Sequence, residues 1–201
     1  MVIRDSADVP PNLKSFFSDV IITVMKVYFV RHGQTDANAA MSNGQSVQEL
    51  DAPLNATGIE QAAAVAEQLK DVKFDIVISS PLKRALQTAE AVNKYHGLPI
   101  ILEDSVRERK AGKWIGLNIW NDLFDFDKNI QPVDGESLHD FFDRTQGYFE
   151  KLKTEYPDKT VLIVSHGGVQ HALYALANGI PRSGNVRISP MHNCEVREYE
   201  L

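Results

Sequence analysis

The sequence predicts an α/β fold, a three-layer α/β/α sandwich whose mostly parallel central sheet carries one antiparallel edge strand. Three observations predict it. Two short β-branched and aromatic runs, residues 26–30 (KVYFV) and 160–164 (TVLIV), read as buried strands, and each is followed closely by His-Gly. Strand-like runs alternate with helix-period segments over nearly the whole length. Finally, 201 residues of 43% hydrophobic composition suffice to bury the core of one domain.

Residues 1–24 differ in texture from the rest, with Pro10-Pro11, Phe16-Phe17 and the apolar run Val20-Ile21-Ile22-Thr23-Val24. That run is far shorter than the roughly 20 residues that span a bilayer, and it lacks a basic leader with a small-residue cleavage site. Residues 1–24 are therefore expected to be an N-terminal extension, a helical turn and a strand start packed on the sheet edge. The domain itself is expected over residues 25–201.

The first strand delivers Arg31-His32-Gly33-Gln34-Thr35-Asp36-Ala37-Asn38 to its carboxyl end, the edge at which open α/β sheets bind ligands. Arg31 and His32 are adjacent, so in extended chain they point to opposite faces, and a sharp turn at Gly33 is expected to bring both to one ligand. A guanidinium fork suits an oxyanion, a neutral imidazole is a nucleophile, and Thr35 and Asn38 are small polar groups able to complete the oxygen ligation.

Residues 39–50 are polar and read as a loop over the site. Thr57-Gly58-Ile59-Glu60 has the spacing of a capping box, and Ile59, Ala62, Ala63, Ala66 and Leu69 recur at helical intervals, so a helix is expected over residues 58–70. Residues 74–78 (FDIVI) form the next strand, and Pro81 suits the first position of the helix that follows, which runs to Tyr95. Arg84 falls in that helix's opening turn, where free N–H groups and the macrodipole already favour an anion, so it can share one with Arg31. The plainer alternative for Arg84 is a pair with Glu90. Thr88, one turn on, reads as packing.

His96-Gly97 ends that helix, and residues 99–102 (PIIL) form a third strand leading to Val106-Arg107-Glu108-Arg109-Lys110-Ala111-Gly112-Lys113-Trp114-Ile115-Gly116. The closeness of Arg107, Arg109, Lys110 and Lys113 suggests a substrate with extra negative charge, or else a solvated loop face. Residues 120–127 are expected to form a short helix covering the site, with Trp120, Leu123, Phe124 and Phe126 packed inward. Ser137 with Asp140 caps a helix carrying Leu138, Phe141, Phe142, Tyr148, Phe149 and Leu152, and His139 in its first turn reads as a surface histidine. The strand at 160–164 delivers Ser165-His166-Gly167-Gly168, a helix follows to Ala177 and closes at Asn178-Gly179, and His171 reads as structural. Residues 192–200 alternate as an edge strand whose charges discourage aggregation.

Four ordered motifs, each at a strand end, carry a resemblance: Arg31-His32-Gly33, Ser79-Ser80-Pro81-Leu82-Lys83-Arg84-Ala85, Arg107-Glu108-Arg109 and Ser165-His166-Gly167. On these the chain resembles the histidine phosphatase superfamily, which also contains the cofactor-dependent phosphoglycerate mutases. The resemblance spans residues 26–200. It implies the same α/β sandwich and an enzyme, a histidine acid-type phosphatase that hydrolyses a small phosphorylated metabolite through a phosphohistidine. It implies His32 as nucleophile, Arg31, Arg84 and His166 on the equatorial oxygens, and Glu108 as the proton donor to the leaving oxygen. Gly33, Gln34, Thr35, Asn38 and Gly167 would complete the phosphate pocket. No cofactor is implied. Two departures, Ile115 where many relatives are acidic and Ala111 where they are often aromatic, fall on the wall that selects the leaving group.

The mutases of the family are the alternative, and they would require 2,3-bisphosphoglycerate. They insert a longer segment than the 28 positions by which Glu136 follows Glu108, and they continue past the final strand, whereas the sequence stops at Leu201. Hydrolysis is therefore the expected chemistry, ahead of a phosphate-binding module whose catalysis has lapsed. A net charge of −6 argues against nucleic-acid partners. Cys194 is the only cysteine, which excludes an internal disulfide and fits a cytoplasmic location. No His-Glu-x-x-His or cysteine pair points to a metal, no segment points to a membrane, and oligomeric state is left open.

Overall fold

A computed structural model describes residues 24–42, 51–114 and 124–201. The expected N-terminal extension, apart from Val24, lies outside the described residues, as do most of the expected loop at 39–50 and the Ile115 and Trp120 positions. The elements are β1 (Lys26–Arg31), α1 (Asp36–Ser42), α2 (Ala56–Leu69), β2 (Ile76–Ser79), α3 (Lys83–Asn93), β3 (Ile100–Leu102), α4 (Leu138–Glu155), β4 (Thr160–Ser165), α5 (Gly167–Ala177) and β5 (Val196–Glu200). They form the expected sandwich. The sheet order is β3-β2-β4-β1-β5, parallel throughout except for β5, which pairs antiparallel with β1 at the edge.

Strand periodicity distributes the core between the two faces. Val27 and Phe29 of β1 with Val161 and Ile163 of β4 join one buried cluster with Phe141, Phe142 and Phe149 of α4 and Leu173 of α5. Val30, Leu162 and Val164 join the other, with Val65 and Leu69 of α2 and Ala85 and Val92 of α3. Each fully buried phenylalanine on α4 contributes about 1.5–3 kcal/mol relative to exposure. So β1 leads to α2 on one face and β4 to α5 on the other. The carboxyl ends of these neighbouring strands are thus a topological switch point.

Several boundaries differ from expectation, each for a local reason. Helix α2 begins at Ala56 because the Asn55 side chain accepts from Gly58 N at 2.8 Å, displacing Thr57 as the cap. Residues 39–42 are helical rather than loop, because Thr35 and Asn38 cap α1 reciprocally: Asn38 N donates to Thr35 Oγ1 and Thr35 N to Asn38 Oδ1. Pro81 precedes α3 instead of opening it, since Leu82 is extended and takes the cap position. Strand β2 starts at Ile76, with Asp75 turned to accept from Thr160 N at 2.8 Å.

Residues 124–127 form a turn with an Asp125–Asn185 bridge rather than a helix, though Phe124 and Phe126 are buried as expected. His139 is half-buried, not a plain surface residue: it stacks on Phe126 with centroids 4.1 Å apart and its Nε2 lies 2.9 Å from Phe126 O. Among the described residues no helix is long and apolar enough to cross a membrane.

Candidate active site

The two His-Gly ends meet because β1 and β4 are adjacent and in register. Arg31 pairs with Ser165, so the next residues, His32 and His166, stand side by side, with ring centroids 5.1 Å apart. His32 N donates to Ser165 O at 2.9 Å, which carries the pairing one residue past the strands. Both rings lie on the α3 face, following the alternation of Val30 and Val164, and Arg31 and Ser165 turn to the opposite face.

The His32 ring is oriented by its own backbone. Nδ1 lies 2.8 Å from Gly33 O, and a carbonyl only accepts, so Nδ1 carries the proton and Nε2 presents a lone pair. Arg84 Nε donates to that Nε2 at 3.2 Å. Burial, then the charges of Arg84 and Arg31, hold the His32 pKa well below 6.5 despite the opposing Gly33 contact. The same causes, burial first and Arg84 next, hold His166 well below 6.5. Both imidazoles are therefore neutral and only the guanidiniums bring fixed positive charge.

Gly33 performs a different task from the one expected of it. Its φ is not in the left-handed region. What requires glycine is close approach: a Cβ at Gly33 would lie 2.6 Å from Gly58 O, and one at Gly58 would lie 2.1 Å from Gln34 O. The loop after β1 is thus pressed backbone to backbone against the start of α2. Gly33 N donates to Thr88 Oγ1 at 3.1 Å, so Thr88, read from sequence as packing, also holds the loop.

The remaining expected residues divide into two groups. Arg31 runs beside α5, where a Cβ on Gly167 would lie 3.8 Å from its Nε, and its NH1 donates to Met191 O. Glu108 reaches the same helix start from the other side. Its Oε2 accepts from Gly168 N at 3.1 Å and its Oε1 from Arg109 N at 2.9 Å, so the carboxylate sits on the amino end of α5. Gln34 is held against the start of α2: Asn55 Nδ2 donates to its Oε1 at 3.1 Å and its backbone N donates to Gln61 Oε1. Thr35 and Asn38 are engaged in capping α1, and Asn193 Nδ2 donates both to Asn38 Oδ1 and to His32 O.

The basic cluster around Glu108 is for the most part not aimed at a ligand. Arg109 donates from Nε to Glu136 O and from NH2 to Ile130 O, both at 2.9 Å, bracing the loop. Arg107 pairs with Asp104 and Lys113 with Asp134 at the surface. Sequence reasoning missed Ser80, whose Oγ lies 2.8 Å from His166 Nε2, as well as Gly168 and Asn193. Ser80 was visible only as part of a motif. Among the described residues no group of three or more His, Cys, Asp or Glu is placed to hold a metal ion.

Two neutral imidazoles, two guanidiniums and a carboxylate at a helix start can bind a tetrahedral oxyanion, attack its central atom and move a proton. Comparison with known proteins identifies the family. The family model described as histidine phosphatase superfamily (branch 1) matches residues 27–201. The uncharacterized phosphatase PhoE of Bacillus subtilis (strain 168) is 41% identical over 164 residues, 81% of this chain and 82% of that protein. The metal-independent phosphoserine phosphatase of Arabidopsis thaliana is 32% identical over 190 residues, 88% of this chain and 79% of that one. Among solved structures, mycobacterial glucosyl-3-phosphoglycerate phosphatase superposes with a TM-score of 0.74 at 28% identity, covering 87% of this chain and 89% of that chain.

Proposed function

The chain belongs to the histidine phosphatase superfamily, branch 1, and we propose that it hydrolyses a small phosphomonoester through a phosphohistidine on His32. The observation that carries the reading is the Gly33 carbonyl on His32 Nδ1, which leaves Nε2 as a buried lone pair beside the Arg84 guanidinium. That lone pair attacks phosphorus, the P–Nε2 bond forms and the P–O bond to the leaving group breaks in line with it. Arg31 and Arg84 meet the charge that spreads over the equatorial oxygens. Glu108 gives its proton to the departing oxygen and afterwards takes one from the water that cleaves the phosphohistidine.

A single-turnover experiment tests this. Labelled phosphomonoester quenched in alkali is expected to leave an alkali-stable, acid-labile phosphoprotein, absent in His32→Ala and longer-lived in Glu108→Gln. Phosphoserine and glucosyl-3-phosphoglycerate head the substrate panel, because relatives named for those substrates share the fold. Including 3-phosphoglycerate with 2,3-bisphosphoglycerate covers the mutase alternative. Isomerisation with little phosphate release would replace hydrolysis by that reading. Release by the wild type without any phosphoprotein would sink the histidine mechanism.

A further inference from the structure

We propose that Ser80 is a positioning residue that fixes the tautomer of His166, so that His166 Nδ1–H donates to the phosphoryl oxygen. The inference rests on the phosphoryl-transfer reading above. Ser80 and His166 are both fully buried, and Ser80 Oγ lies 2.8 Å from His166 Nε2. Distance alone leaves the direction of that hydrogen bond open, because either group can donate.

The other contact of Ser80 decides it. Leu82 N, at the cap of α3, donates to Ser80 Oγ at 3.3 Å. A serine hydroxyl has one proton and two acceptor positions. If His166 Nε2–H donated as well, the oxygen would accept twice, and no acceptor among the hydrogen bonds of the described residues would take its buried O–H. His166 Nδ1, buried and without a partner, would then present a lone pair to an anion. With Ser80 donating, one directed chain runs from Leu82 N–H to Ser80 O–H to the imidazole and leaves a proton on Nδ1. Each hydrogen bond in such a chain polarises the next, and this one starts at the positive end of a helix.

Nδ1–H is then the one uncharged donor that this pair of rings offers, since the proton of His32 is spent on Gly33 O. The two neighbouring histidines are thus set in complementary roles by their partners: a carbonyl makes His32 an attacking lone pair, and a hydroxyl makes His166 a donor.

Nitrogen NMR of the histidine-labelled full chain tests the proposal, with His166 assigned by its loss in His166→Gln. The wild type is expected to show Nδ1 protonated and Nε2 bare; the reverse overturns the proposal without any variant. Ser80→Ala is expected to lose the preference for that tautomer, to weaken inorganic phosphate about tenfold and to lower kcat about ten- to a hundredfold. Ser80→Thr, which keeps the hydroxyl, is expected to restore all three. A Ser80→Ala protein that melts like wild type and keeps both tautomer and phosphate affinity also overturns it. If no ester is hydrolysed by the wild type, the function proposed above fails while the tautomer still decides this inference.

Discussion

Gly168 and Glu108 occupy one small volume: a Cβ on Gly168 would lie 2.1 Å from Glu108 Oε1 and 3.2 Å from Phe141 Cζ. The missing side chain is what lets the carboxylate reach the amino end of α5, and the Gly168 N–H then holds it at 3.1 Å. Gly168→Ala is therefore expected to push Glu108 off its donor while the fold survives, because a carboxylate can swing away more cheaply than a backbone can move. General acid–base groups contribute about a hundredfold or more, so kcat should fall about a hundredfold. Phosphate affinity should change little, which separates this lesion from damage to Arg31 or Arg84. Steady-state kinetics with inorganic phosphate as inhibitor would check both.

Arg84 lies within hydrogen-bonding distance of His32 Nε2 and, after burial, is the largest cause that lowers the His32 pKa. Removing its charge in Arg84→Gln should raise the His32 pKa towards 6.5. His32, the proposed nucleophile, would then be protonated, and inactive, at a higher pH than in the wild type. Ring titration of His32 by NMR should show that upward move, with kcat/KM reduced about a hundredfold at neutral pH through loss of transition-state charge stabilisation. An unchanged titration would mean that burial and Arg31 hold the His32 pKa down without help from Arg84.

What the sequence made legible follows from what is local. The strands, their His-Gly ends and the position of Arg84 in an opening helical turn are short-range patterns, and the adjacency of β1 and β4 then brings His32 to His166. The supporting residues are not local. Ser80 meets His166 across 86 positions, Glu108 meets Gly168 across 60, and Asn193 meets His32 across 161. No periodicity encodes such pairs. Thr57 has the spacing of a cap for α2, and only the Asn55 side chain accepting from Gly58 N shows that the helix starts earlier, at Ala56. Arg109 was misread because nothing in a run of basic residues reveals which one turns inward to carbonyls at Ile130 and Glu136.

Arg144 of α4 ties the Glu108 arm to the body of the protein. Its guanidinium forks onto Glu136, at 2.8 and 2.7 Å, and donates to Ser105 O at 2.8 Å and Arg107 O at 3.2 Å. The pair is a quarter or less exposed, so it outweighs an ordinary surface bridge. Arg144→Lys keeps the charge but cannot hold both sides of the fork. It should cost about 1–3 kcal/mol in denaturant unfolding and lower kcat more than it alters phosphate binding. Equal stability with wild type would show that Arg109 alone suffices to brace the arm.

His171 is expected to contribute to the acid sensitivity of the fold. It is 5% exposed on α5 against Phe124, and burial, then Arg187, Arg197 and Arg31, push its pKa down to about 4 from 6.5. A histidine whose folded pKa lies below its unfolded one binds more protons when unfolded, so its contribution is fully present above the unfolded pKa. That contribution is lost as pH falls through the window from 6.5 towards about 4. Between about pH 7 and about pH 5 this one residue should remove about 2 kcal/mol of stability. Denaturant midpoints measured at both pH values in wild type and His171→Gln check it. The variant starts from a lower stability, having lost the ring packed on Phe124, but its fall on acidification should be smaller by about that amount. His32 and His166, both held well below 6.5, continue to titrate in the variant, so the acid loss should shrink and not vanish.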